Sequence, residues 1–164
     1  MIYGDKVNLY PLDPVELSLI LKKSYESFDF NMVDFEVTRD QAKAIEKKIL
    51  KINKLPDSDI NYLTYYLIIE KFSNKGIGLI GFKGLDEEKT AEIGYGITRQ
   101  YEGQGLTSAA LKTLLKWVKT QGQCQRVTAT RVLKSNYGSQ KVLEKNGFKK
   151  SKEDAYELTY MRVL

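Results

Sequence analysis

The apolar positions change period along the chain, and each change marks an element. Leu17, Ile20 and Leu21 recur at helical spacing behind Asp13-Pro14-Val15-Glu16, and Ala42, Ile45, Ile49 and Ile52 do so behind Thr38-Arg39-Asp40-Gln41. Both starts read as capping boxes, with an acceptor at the N-cap and a carboxylate or amide three residues on; Pro14 takes the first helical position. The first helix is expected to end near Lys23 or Ser24. A short alternating strand, Lys6 to Leu12, precedes it. Tyr25 to Val37 has no clean period and mixes Tyr25, Phe28, Phe30 and Phe35 with Glu26, Asp29, Asp34 and Glu36. It reads either as a loop covering the core edge or as the lip of a site that attracts a cation.

Beyond a connecting loop at Asn53 to Asn61, which contains Pro56, the period shortens to that of strands: Tyr62 to Lys71, Ile77 to Lys83 and Ala91 to Thr98. The turns Ser73–Gly76 and Asp86–Lys89 are short enough to make these an antiparallel meander. Helical spacing returns from Thr107 to Gln121, with Ala110, Leu111, Leu114, Leu115 and Val118 on one face and Gly122 as C-cap. Arg126 to Leu133 is a strand, so the helix before it is a right-handed crossover between parallel strands. A helix over Asn136 to Asn146 closes at Gly147, Phe148 anchors it, and Ala155 to Val163 is the last strand. The order β-α-α-β-β-β-α-β-α-β gives an α+β fold on a mixed, mainly antiparallel sheet, expected to be one domain over residues 1–164.

Composition narrows the chemistry. The chain has no histidine, which removes Ser-His-Asp and Cys-His catalysis and histidine-ligated zinc. A lone cysteine, Cys124, excludes an intrachain disulfide and reads as a structural thiol. No long apolar run is present, so no membrane span is expected. The N-terminus lacks a basic-then-apolar leader pattern, which points to the cytoplasm. A net charge of +5 suits an anionic ligand such as a nucleotide cofactor. The lysines are spread over many elements, so a solvated surface is the default and nucleic acid is disfavoured. Tyr62, Tyr65 and Tyr66, the aromatics a nucleic-acid surface would use, are explained more cheaply by sheet packing.

The turn between Thr98 and Thr107 carries the first chemical signal. Glycines let successive N–H groups at Gly103, Gln104, Gly105, Leu106 and Thr107 point inward, and the following helix adds its positive end. Thr107 or Ser108 can cap that helix. The expected guest is a pyrophosphate. A dinucleotide-binding fold is disfavoured, because a meander rather than a repeated βαβ precedes the turn.

Ala91-Glu92-Ile93-Gly94-Tyr95, followed by Tyr101-Glu102-Gly103-Gln104-Gly105-Leu106-Thr107, resembles the acetyl-CoA-binding core of the GNAT N-acetyltransferase superfamily. Asn136-Tyr137-Gly138-Ser139, running on to Leu143-Glu144-Lys145-Asn146-Gly147-Phe148, is similar to its later motif, in particular in the branch with the ribosomal-protein N-terminal acetyltransferases. The resemblance implies a cosubstrate, acetyl-CoA, and no metal. It implies two parallel strands that splay, with pantetheine paired to backbone near Ile97 and Thr98. The pyrophosphate would sit on residues 103–108, with Asn136 and Ser139 reaching the cosubstrate. Glu102 and Thr107 depart from the usual turn pattern, and Leu143 stands where many members carry a tyrosine.

In the branch it resembles the serine takes the acid's role, which implies Ser139 as the candidate general acid, with Tyr137 beside it; its other reading is a helix-start hydroxyl bonding backbone. Glu92 is the candidate base. By alternation it shares a face with Gly94 and Gly96, where small residues leave room for substrate. Its other reading is a surface glutamate paired with a cross-strand lysine. The expected reaction is direct acetyl transfer to a primary amine, on a protein N-terminus or a small molecule. Backbone N–H groups near Gly96 and Ile97 would polarise the thioester. The alternative is a non-catalytic acyl-CoA-binding regulator. An exposed face of the last strand could pair two copies.

Overall fold

The computed structural model describes residues 1–54 and 57–164. Leu55 and Pro56, within the expected Asn53–Asn61 loop, lie outside the described residues. Its elements are β1 (Val7–Pro11), α1 (Pro14–Lys22), α2 (Arg39–Ile52), β2 (Tyr65–Glu70), β3 (Lys75–Leu85), β4 (Thr90–Ile97), α3 (Leu106–Gln121), β5 (Arg126–Leu133), α4 (Tyr137–Lys145), β6 (Lys149–Glu153) and β7 (Glu157–Val163). One seven-stranded sheet runs in the order β1-β2-β3-β4-β5-β7-β6. All neighbours are antiparallel except β4 and β5.

The helix starts follow the sequence closely. Asp13 and Thr38 accept from the N–H groups of Glu16 and Gln41, whose side chains reach back to the cap N–H groups at 2.8 Å. Lys23 ends α1 in the left-handed conformation, φ 56°. These reciprocal bonds satisfy orphan amides that would otherwise fray the first turn.

Each face of the sheet is covered. Leu17 and Ile20 of α1 and Ile45 and Ile52 of α2 pack with Met32, Phe35, Leu67, Ile69 and Leu79 on one side. Leu106, Ala110, Leu111, Leu114 and Val118 of α3 pack with Val7, Ile68, Ile80, Ala91 and Val127 on the other. Burial on both faces explains why β2 reads as an unbroken apolar run rather than an alternating one. It also buries Tyr62, Tyr65 and Tyr66, which pack in the sheet and the core beside it.

Four expectations need correction. The segment after Pro56 holds a 3₁₀ helix, Asp57–Tyr62, and β2 begins only at Tyr65. The last strand begins at Glu157 rather than Ala155. A further strand, β6, precedes it: its sequence KKSKE is exposed throughout and so carries no apolar alternation. Because β6 takes the sheet edge, both edges of β7 are paired, and only its face, with Met161 and Val163 exposed, is open to a second copy. Finally, the lysines are less dispersed than their sequence positions suggest. Lys112, Lys116 and Lys119 of α3 meet Lys145, Lys149, Lys150 and Arg162 around one groove of about 750 Å³.

Candidate active site

The turn after β4 starts with a 3₁₀ stretch, Arg99–Tyr101, and reaches α3 through Gly103 (φ 73°) and Gly105 (φ 76°). A Cβ on either glycine would meet nothing within 4 Å. Glycine is therefore required by the left-handed backbone and not by crowding. Gly105 is itself the N-cap of α3, with no side-chain cap bond. Neither Thr107 nor Ser108 caps the helix as expected, and its leading N–H groups are left for an anion. Ser108 Oγ instead accepts from Asn146 Nδ2 at 3.0 Å, which ties the start of α3 to the end of α4.

Beside this turn the sheet comes apart. β4 and β5 pair only at Thr90, Ala91 and Glu92 against Arg126, Val127 and Thr128. β5 is then bulged between Ala129 and Val132, with Arg131 at φ 54°, and the strands diverge. α4 stands across the gap. Its N-cap, Asn136, accepts from the Ser139 N–H at 3.0 Å. Ser139 Oγ bonds no backbone; it lies 2.8 Å from Tyr95 Oη of β4. Tyr137 is 70% exposed at the mouth of the cleft, which it lines, while Leu143 is fully buried in the core.

The gap opens as a cleft of about 570 Å³. Ile97, Gly103, Gly105, Leu106, Thr107, Ser108, Asn136 and Ser139, all expected at the site, line it together. Three expected residues do not: Gln104, Thr98 and Glu92. The Gln104 side chain donates to the Gln100 carbonyl at 3.0 Å. Thr98 has its N–H bonded to Ile77 O and its carbonyl to the Tyr101 N–H, so its backbone is occupied. By the alternation of the β3–β4 ladder, the N–H and C=O of Ile97 face the gap instead. Glu102 is exposed on the rim, so its charge stays hydrated. Lining residues that sequence reasoning missed include Tyr95, Ser135, Lys141, Val142 and Lys145. The lysines had a signal, since they sit one turn apart (i, i+4) directly behind the Asn-Ser motif.

Glu92 lies on the other face of β4. Its Oε1 accepts from both Lys83 Nζ of β3 and Thr130 Oγ of β5, and its side chain is 27% exposed. Burial alone would raise its pKa; the Lys83 ammonium and Thr130 hydroxyl outweigh that and hold it below the usual carboxylate range. The cross-strand lysine pairing is thus present. Space beside the glycines is unequal. A Cβ at Gly94 would have its nearest neighbours 4.0 Å away, but the place of one at Gly96 is filled by the Gln41 amide.

The Tyr25–Val37 segment is held by edge-on contacts of Tyr25 with Phe28 and Phe35. Asp34 bonds Lys75 at 2.7 Å and Tyr101 at 3.0 Å, which hold its carboxyl below the usual range. The Glu36 N–H donates to Thr98 Oγ at 3.3 Å, so the segment ends against the tip of β4, where Asp34, Glu36 and Thr98 share a recess.

A sheet that splits at one parallel pair, with a glycine turn into a helix beside the split, is the framework of an acetyltransferase fold, and sequence comparison agrees. The family described as "Acetyltransferase (GNAT) domain" matches residues 9–149, and the chain belongs to it. It is 39% identical over 74 residues to the ribosomal-protein-serine acetyltransferase of Escherichia coli K12, covering 44% of this chain and 40% of that protein. It is 34% identical over 84 residues to the uncharacterized N-acetyltransferase YjdG of Bacillus subtilis 168, covering 51% of this chain and 49% of that one. The matches thus span half or less of those relatives. Among solved structures, RimL, the ribosomal L7/L12 α-N-protein acetyltransferase in complex with coenzyme A, aligns at TM-score 0.69 and 20% identity over 99% of this chain and 97% of its own. The ribosomal-protein-S5-alanine acetyltransferase of Vibrio fischeri aligns at TM-score 0.70 and 15% identity, over 98% and 94%. At such identities the likeness is one of fold.

Proposed function

We propose that the chain, acting as one domain over residues 1–164, is a cytoplasmic, acetyl-CoA-dependent N-acetyltransferase that works by direct transfer in a ternary complex. The observation that carries this reading is that the gap between β4 and β5 joins two unlike faces. One face is the cleft with the open α3 N-terminus, Asn136 and Ser139; the other carries Glu92. A thioester lying in the gap meets a hydrogen-bond donor on its sulfur side and a carboxylate on the side an amine can enter.

In this reading the backbone N–H groups of Gly103 to Thr107 and the Ser108 hydroxyl hold the diphosphate. Lys141 and Lys145 supply positive charge that offsets Glu102. The backbone of Ile97 pairs with the pantetheine and its N–H polarises the acyl carbonyl, because the Gly96 backbone belongs to the β3 ladder. Asn136 fixes the start of α4. The amine nitrogen bonds to the acyl carbon, the C–S bond breaks, the amine proton passes to Glu92 through a water, and Ser139 donates to the departing sulfur.

The state of Glu92 bears on the acceptor. A carboxylate held below its ordinary pKa is a weak base. It serves an α-amino group, pKa roughly 8, far better than a lysine-type amine near 10.4. A peptide N-terminus is therefore favoured over a small alkylamine. The same Lys83–Glu92 pair is what favours the second reading, an acyl-CoA-binding regulator whose carboxylate is structural.

Release of free CoA thiol, followed against N-terminal peptides and small amines, separates the two. Transfer to peptides, with Glu92→Gln lowering kcat roughly 100-fold at neutral pH, is the expected result. Full activity in Glu92→Gln removes Glu92 as the base. Silence across the panel with CoA still bound supports the regulator.

A further inference from the structure

Tyr95 has no place in the site read from the sequence, yet it spans it. The residue stands on β4 past the last β4–β5 pair, with its ring packed on the α3 side of the sheet. Its Oη reaches α4, 2.8 Å from Ser139 Oγ and 3.3 Å from the Ser139 carbonyl oxygen. The hydroxyl thus joins the two walls of the cleft at the residue expected to act as acid.

The Ser139 main chain is already fixed, since its N–H donates to Asn136 Oδ1. What remains free is the rotation of its hydroxyl hydrogen. A serine hydroxyl has one hydrogen to give. If that hydrogen goes to Tyr95, none is left for a substrate. If Tyr95 is the donor, the serine hydrogen is free to turn into the cleft. A phenol is a stronger acid than an alcohol and so the better donor, and both acceptors within its reach belong to Ser139. Burial, the largest influence on it, pushes the Tyr95 pKa up to about 12, so the phenol keeps its hydrogen at neutral pH.

We infer that Tyr95 is the positioning residue for proton donation: its O–H donates to Ser139 Oγ and turns the Ser139 O–H toward the sulfur of the bound thioester. The inference rests on the acetyltransferase reading for its role in turnover, but its geometry concerns CoA binding alone. As the C–S bond breaks, the electron pair leaves on sulfur, and the Ser139 O–H donates to the thiolate that forms. The proton lost by the amine goes to Glu92 on the other face. Tyr95 itself never touches the sulfur.

Tyr95→Phe keeps the ring and removes only the oxygen. The first measurement is the ultraviolet titration of the CoA thiol on the protein, which needs no acceptor. A donor on sulfur favours the thiolate, so in the wild type the bound thiol titrates below its free value of about 8.5. Tyr95→Phe and Ser139→Ala should each return it toward that value, and a fluorinated, more acidic tyrosine at 95 should lower it further. The second measurement is turnover. Tyr95→Phe should lose roughly 5- to 10-fold in kcat, the size of one hydrogen bond, with the KM for acetyl-CoA unchanged. It should cost nothing more in a Ser139→Ala background.

Losses that multiply in the double variant would show Tyr95 acting apart from Ser139 and overturn the inference. So would a bound thiol that ignores Tyr95→Phe and the fluorinated tyrosine while responding to Ser139→Ala. A protein that transfers no acetyl group, yet shows the thiol shifts, would fail the enzymatic reading and leave the positioning role standing.

Discussion

Lys48 is a cation where water cannot reach it. It is 5% exposed, and its ammonium donates to the carbonyls of Leu63 at 2.7 Å, Thr64 at 3.4 Å and Phe82, 4.3 Å from the centre of the Tyr65 ring. Burial, with Lys51 and Lys83 nearby, lowers its pKa to about 7. An unfolded lysine titrates near 10.4, so between about pH 7 and pH 10 the unfolded chain holds more proton at this site than the folded one. The contribution of Lys48 to unfolding free energy therefore rises with pH across that window and is flat below it. Urea denaturation from pH 6 to 9 should show the rise in the wild type and lose it in Lys48→Met. The clue was in the sequence: Lys48 falls on the stripe of Ile45 and Ile52 at spacings of three and four, where a helix turns toward the core. Tyr95 and Glu92 were legible only in part. Alternation puts them on opposite faces of one strand. It cannot say that Tyr95 meets Ser139, 44 positions on, or that Lys83 and Thr130 converge on one carboxylate oxygen.

The helices were the most legible elements, because capping is a local contract: Asp13 with Glu16, Thr38 with Gln41 and Asn136 with the Ser139 N–H are each closed within a few residues. The α3 turn was legible for the same reason, through glycines whose backbone no other residue adopts cheaply. Gly105→Ala tests it. The methyl meets no atom within 4 Å, so the penalty is the left-handed backbone alone, about 1–2 kcal/mol. If the turn holds the diphosphate, relaxation of that backbone also misaligns the N–H groups. Calorimetry should find acetyl-CoA bound roughly 10-fold more weakly, beyond any loss of thermal stability. An unchanged affinity would place the phosphates elsewhere. β6 was illegible because its partner does all the burying: an edge strand of lysine, serine and glutamate has no apolar face to betray it, and the same charges discourage a second sheet from adding there.

Seen as one body, the protein is two antiparallel blocks, β1 to β4 and β5 to β7, joined by one short parallel contact, by α3 and by side-chain bridges that include Tyr95 with Ser139, Glu92 with Thr130 and Arg126 with Thr90 and Glu88. The order of elements shows the crossover that makes that contact parallel. The extent of the divergence depends on the bulge at Arg131, whose left-handed backbone nothing in the local sequence announces. The split also leaves β4 with two kinds of amide. Those of Gly94, Gly96 and Thr98 belong to the ladder with β3, while those of Tyr95 and Ile97 look into the cleft. Hydrogen–deuterium exchange should therefore read an every-other-residue rhythm along this strand, slow at 94, 96 and 98 and fast at 95 and 97. Added CoA should erase the rhythm by slowing the fast positions alone. A strand that is half a ladder and half a docking rail would then be visible one amide at a time.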